Sequence, residues 1–355
     1  MNRFAGLDLL RAIAGLALIV CHTAFLLASL RLPDSVWLYL GLVGVEVFLV
    51  SLGFLLTCRM LEVAPVRIGH RWLRAIMRWW PLYLLMLGVN LFISGAGTSS
   101  IQWMPYVVFA QNLAWPHPGF FGEAWIVATA AMIALLIPLV LRFLARCSFV
   151  VGVGWIAGLL IAGCAVRSLV IGLQDPDFDF GVRKILLMRL DLPFFGVLAG
   201  WLWMHRRSGL VRWRHALAAS GVIALAATAY VYVSIALDES VLARNALLPL
   251  CDLGCVLLLP WACSLRLGDR LSAVLRVFAA SMYAGLLTHV TVLRLGLILG
   301  LPLAAQSALQ GFLMLSACIL VCSGVAVLVW WLLDRPWLLL RDRLFPKHAG
   351  PIRER

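Results

Sequence analysis

The chain has 355 residues, of which 63% are hydrophobic and 13% charged, with a mean hydropathy of +1.00. That composition excludes a water-soluble domain and describes a polytopic membrane protein. The formal net charge of +13 is explained by basic loops anchored at an anionic inner leaflet, so no nucleic-acid partner is expected.

A window of about 20 residues finds apolar segments near 5–30, 36–58, 76–96, 124–144, 149–173, 185–204, 216–237, 246–265, 276–299 and 308–333. They predict an all-α fold of ten transmembrane helices, with residues 1–340 as one membrane-embedded domain and 341–355 as a basic cytoplasmic tail. The first segment contains LDLLRAIAGLALIVCHTAF (7–25), which carries Asp8, Arg11 and His22. It is too long, and too polar at those positions, for a cleavable signal peptide, so the N-terminus is expected to be retained. On an α-helix the eleven-residue separation of Arg11 and His22 returns to within about 20° of one face and spans about 16 Å. Charge inside hydrocarbon costs a few kcal/mol, so these residues face a partner, a cavity or a substrate path. Alternatively, the histidine bonds a neighbouring helix and the arginine snorkels to the inner surface.

Further along, Glu46 lies inside the second segment, and Arg71, Arg74 and Arg78 form the densest basic cluster ahead of the third. Spacings of three and four put neighbours in that cluster on one helix face. They suit phosphate groups, and inner-leaflet topology explains them about as well. The stretch 97–123, rich in Trp, Pro and aromatics, reads as an interfacial loop with a short helix. Arg189 and Asp191 fall in the sixth segment, His289 and Arg294 in the ninth. Each lines a substrate path or forms a buried interhelical pair. The nine cysteines are scattered without CxxC or metal-ligand spacing, so no metal is expected.

With the N-terminus inside, 21 of the 29 Lys and Arg residues fall in inner segments, four in outer loops (Arg31, Arg183, Lys184, Arg244) and four within spans. That bias predicts both termini in the cytoplasm.

Several stretches in order, LDLLRAIAGLALIVCH at 7–22, GVEVFLVSLGFLLT at 44–57, RWLRAIMRWWPLYLL at 71–85, QN at 111–112, RLDLPFFGVLAG at 189–200, SMYAGLLTH at 281–289 and WWLLDRPW at 330–337, resemble the acyltransferase-3 family of membrane acyltransferases. The resemblance implies transfer of an acyl group, commonly acetyl, from cytoplasmic acyl-coenzyme A to a hydroxyl presented outside. It implies no bound cofactor, with acetyl-CoA serving as donor substrate. By the same resemblance His22 is the catalytic histidine and Arg11 its partner; Arg71, Arg74 and Arg78 are the candidates for binding the acyl-CoA, Arg78 carried over by register on Pro81 and Arg71 and Arg74 resting on the local spacing RWLR. Glu46, Arg189 and His289 are candidates for the substrate path. A carbohydrate acceptor, either an exported or cell-envelope polysaccharide or its lipid-linked precursor, and a bacterial inner membrane are expected, with lipid as the surrounding partner.

Two departures stand against the pattern. Ala75 occupies the place of one usual arginine, and Ala130 and Ala131 replace the glutamates that follow the tryptophan matched by Trp125. The carboxylates are dispensable here, or Glu123 or Glu46 substitutes, or activity has been lost. A transporter or flippase of a lipid-linked or acidic solute is the alternative class, although no inverted repeat is evident between the halves.

Overall fold

The computed structural model describes residues 4–26, 34–62, 67–95, 100–300 and 307–346. The end of the first expected segment (27–30), the outer-loop Arg31, and the end of the tail from Lys347 onward lie outside the described residues. Within them all regular structure is helical: α1 (Ala5–Leu26), α2 (Asp34–Glu62), α3 (Ile68–Ser94), α4 (Ser100–Val107), α5 (Ala124–Leu144), α6 (Phe149–Gln174), α7 (Leu192–Arg212), α8 (Arg214–Ser234), α9 (Val241–Ser264), α10 (Asp269–Ile298), α11 (Ala308–Val329) and α12 (Arg335–Leu344). Ten of the described helices are long and apolar enough to cross a membrane, counting α11 with its continuation into α12 as one. Helices suit that setting because every backbone group is satisfied within the segment.

Helix boundaries carry local explanations. Ser148, Ser240 and Ser307 accept the first free N–H groups of α6, α9 and α11, as N-caps do. Pro193 opens α7, where its missing N–H costs nothing. Helix α3 begins at Ile68 and α10 at Asp269, each earlier than hydropathy alone placed it. A hydropathy window discounts arginine, yet long basic side chains at a helix end extend toward water and leave the backbone helical. The 97–123 stretch contains the short helix α4 and a single 3-10 turn at Gly119–Phe121.

Helices α2, α5, α7 and α9 are buried along most of their length, whereas α6, α8 and α11 are mostly exposed and form the rim. Two glycines let α2 and α7 touch backbone to backbone: a Cβ on Gly196 would lie 2.7 Å from the Cα of Gly53. Small residues at such crossings replace the hydrophobic driving force that lipid removes. Helix α12 packs against the first half of α3 at one end of the bundle, where His70 reaches Pro346 and Trp337 donates to Met77. The connections after α3, α6 and α8 gather at the opposite end, where Asn112 donates to the Lys184 carbonyl and Arg294 to that of Phe120.

Candidate active site

Helix α1 runs from the α12 end toward the opposite end and carries Arg11 early and His22 late. Beside His22 stands His289 of α10, with ring centroids 4.9 Å apart. Nε2 of His289 lies 3.1 Å from Nδ1 of His22. The other ring nitrogen of His289, Nδ1, is 2.8 Å from the Gly285 carbonyl, and Nδ1 of His22 is also 3.0 Å from the Leu18 carbonyl.

Carbonyl oxygens only accept, so these contacts select the tautomers of the neutral pair. His289 carries its proton on Nδ1 and accepts at Nε2. His22 donates from Nδ1, which leaves the lone pair of its Nε2 unused and available to a substrate proton. His289 is buried and His22 only half-buried, so the inner ring orients the outer one.

The same end of the bundle holds polar groups that the sequence reading treated only as loop charges. A single π turn at Phe178–Arg183 brings Arg183 to 2.7 Å from Asp179, and Lys184 bonds the other carboxylate oxygen. Burial disfavours the charged Asp179, but the two cations beside it prevail and hold its carboxyl below the usual range. Burial, with Arg183 alongside, pushes the Lys184 ammonium down. Arg183 lies over the Trp125 ring at 5.4 Å, and His117 faces Phe180 at 6.5 Å.

Around them, several buried polar atoms have no protein partner: Gln111 Oε1, Asn112 Oδ1, His117 Nε2 and both carboxyl oxygens of Glu123. Each such group costs about 1–3 kcal/mol unless a ligand or water meets it. Burial, partly offset by its own backbone N–H and by Arg294, pushes the Glu123 carboxyl up to about 8.

Glu46 and Arg189 meet deeper in the bundle. Arg189 donates to both Glu46 oxygens, at 2.9 and 2.6 Å, and to Asp252 at 3.2 Å, with all three residues at most 1% exposed. Asp191 instead grips Arg167 through two bonds of 2.9 Å. Asp252, set in the apolar run of α9, escaped the sequence reading, although a lone carboxylate in a span signals a buried partner.

At the α12 end, Arg78 pairs with Asp334 at 2.6 Å and lies 4.7 Å from the Tyr283 ring centre. Arg74 pairs with Asp342 at 2.7 Å. Asp334 closes the π turn Trp330–Asp334 between α11 and α12, an inserted turn of the kind that accumulates at functional sites. The structure therefore joins His22 to His289, and Glu46 to Arg189. It keeps Arg71, Arg74 and Arg78 at the other end, with Arg11 about 16 Å from His22 along α1.

The acyltransferase domain model of the acyltransferase-3 family matches residues 4–334. The chain belongs to the acyltransferase-3 family. No curated protein and no solved structure is significantly similar to it. Family membership makes it a multi-pass membrane acyltransferase, consistent with its ten long apolar helices. Its two departures are both visible: Ala130 and Ala131 are buried in α5, and Ala75 lies in the basic stretch of α3.

Proposed function

We propose that the protein moves an acyl group, most simply acetyl, from acyl-CoA to a hydroxyl of an extracytoplasmic or lipid-linked polysaccharide in a bacterial inner membrane. The observation that carries this reading is the His22–His289 pair, in which the contacts of Nδ1 leave Nε2 of His22 as the free lone pair, at the end of the bundle that also holds the unpaired polar groups. The excess of basic residues at the α12 end supports placing that end in the cytoplasm.

Coenzyme A is anionic, and Arg78, with Arg74 and Arg71 near it, offers cationic forks for its phosphates. The acceptor enters from the opposite end, where Asn112, His117 and Glu123 offer the unpaired donors and acceptors that a polyhydroxylated molecule satisfies. His22 Nε2 takes the proton of the acceptor hydroxyl as its oxygen attacks the thioester carbonyl. An ester C–O bond forms, the C–S bond breaks, and the departing thiolate takes the proton back from His22. Base catalysis of this kind contributes about 10²–10⁴-fold.

The test is His22→Ala in membranes holding equal amounts of enzyme. Acyl transfer should fall by at least about 100-fold while acyl-CoA binding persists, because a base acts in the transition state. Pairing His22→Ala with Thr23→His turns the ring about 100° around the helix and should not restore transfer. Near-normal transfer by His22→Ala would overturn the reading.

A further inference from the structure

A second space lies directly against the histidine pair. Helices α1, α10 and α11 enclose a groove of about 370 Å³ that reaches from Arg11 to His289, a size typical of small-molecule sites. Its lining along α10 runs from Val274 to His289, about 22 Å of helical rise. Apart from Arg11 and His289, its only polar side chains are Ser281 and Ser323.

The groove also has a side door. Ile13 of α1, Phe278 of α10 and Leu320 of α11 line it and are exposed, so it opens laterally at the level of the hydrocarbon. Gly15 keeps it wide: the nearest atoms a Cβ there would meet belong to the flexible Met282 side chain, no nearer than 3.5 Å.

Chemistry separates the occupants. The coenzyme A arm carries amides, which cost free energy to bury without partners, and a free sugar carries more polar groups still. An alkyl chain already dissolved in the bilayer fits both the lining and the door. We propose that this groove seats the hydrocarbon chain of a membrane-anchored acceptor, whose hydroxyl-bearing head lies by Asn112, His117, Arg183 and Lys184 near His22. This deepens the acyltransferase reading and rests on it. The acceptor is then a lipid-linked molecule that a preceding glycosyl- or phosphoglycosyl-type transfer must supply.

The experiment follows label from radioactive acetyl-CoA in membranes containing the full chain, separated into lipid-soluble and water-soluble products. Wild type should give His22-dependent label in the lipid phase. Gly15→Leu and Ser323→Leu, which fill the groove, should each lower that label by at least about tenfold with acetyl-CoA affinity unchanged, and Gly15→Ala should retain it. In a second arm, dodecyl glucoside bearing a diazirine on its chain should crosslink near Gly15 and Met282 in wild type and in His22→Ala, and not in Gly15→Leu. Lipid-phase label indifferent to both filling variants, or label confined to water-soluble polymer, would overturn the proposal. So would a filling variant that blocks octanoyl-CoA and spares acetyl-CoA, since the groove would then serve the donor chain. Absence of His22-dependent label in either phase overturns the acyltransferase reading itself, and is distinct from label that ignores Gly15→Leu.

Discussion

Removing the Arg189 guanidinium separates two roles for the deepest charges in the bundle. Arg189 answers two carboxylates, Glu46 at 2.9 and 2.6 Å and Asp252 at 3.2 Å, and none of the three is more than 1% exposed. Arg189→Met leaves those carboxylates facing each other without a cation. Breaking a buried pair by deleting one partner costs about 3–5 kcal/mol, and two unpaired carboxyls place this site at the upper part of that range. Glu46→Gln should cost less, about 1.5–3 kcal/mol, because Arg189 keeps Asp252 and loses one charge-assisted contact. Replacing all three together, Glu46→Leu with Arg189→Met and Asp252→Leu, removes every charge at once and should restore most of the stability. Thermal unfolding in detergent at equal protein concentration measures the order wild type, triple, Glu46→Gln, Arg189→Met, with acyl transfer measured in parallel. A triple variant that retains transfer marks the cluster as the tie between α2, α7 and α9. The scaffold argument is refuted if Arg189→Met unfolds with the wild type while transfer collapses, which would place these charges on the substrate path.

The remaining predictions concern both ends of the bundle. His289→Gln removes the Nε2 that accepts from His22, so kcat should fall by about 10–100-fold with KM for acyl-CoA nearly unchanged; steady-state kinetics decides, and a pure KM effect would contradict a positioning role. Arg78→Lys keeps a cation beside Asp334 but loses the planar fork, so stability should hold while acyl-CoA affinity drops several-fold. Isothermal titration of the detergent-solubilised protein with acetyl-CoA measures it. Glu123 has its carboxyl raised from 4.5 to about 8. Its stabilising contribution is therefore complete below about pH 4.5 and is lost as pH rises through about 8, by an amount on the order of a few kcal/mol. Glu123→Gln should match wild type near pH 4.5 and melt higher above pH 8; equal melting curves across that window would disprove the assignment.

The sequence made the spans legible because burial in lipid needs long apolar runs, and it exposed Arg11, His22, Glu46 and His289 because charge in such runs is costly. Which charge meets which was not legible. His22 and His289 are 267 residues apart, and no local period links them. Arg189 could be read as a buried cation, but choosing Glu46 and Asp252 over the nearer Asp191 depends on how α2, α7 and α9 cross. Arg183 and Lys184 counted only as loop charges until the π turn folded them onto Asp179 beside Trp125. Asp334 stood within a recognised motif, yet its pairing with Arg78 requires the inserted turn after α11.

The missing carboxylates at 130 and 131 find a physical account in the charge balance of the interior. Among the described residues every buried arginine already has a carboxylate: Arg167 has Asp191, Arg189 has Glu46 and Asp252, and Arg244 has Asp175. Two further glutamates on the buried face of α5 would find the buried arginines Arg167, Arg189 and Arg244 already paired, and burying unpaired charge is expensive. Alanine at both positions therefore leaves no orphan behind. In the proposed mechanism the consequence falls on His22, whose Nδ1 contacts a second imidazole and a carbonyl where hydrolase-type sites use a carboxylate. A neutral imidazole fixes tautomer and ring orientation without supplying a countercharge. Under the proposed transfer, proton uptake by His22 is then brief and coupled to departure of the thiolate, which returns the pair to neutrality within one turnover.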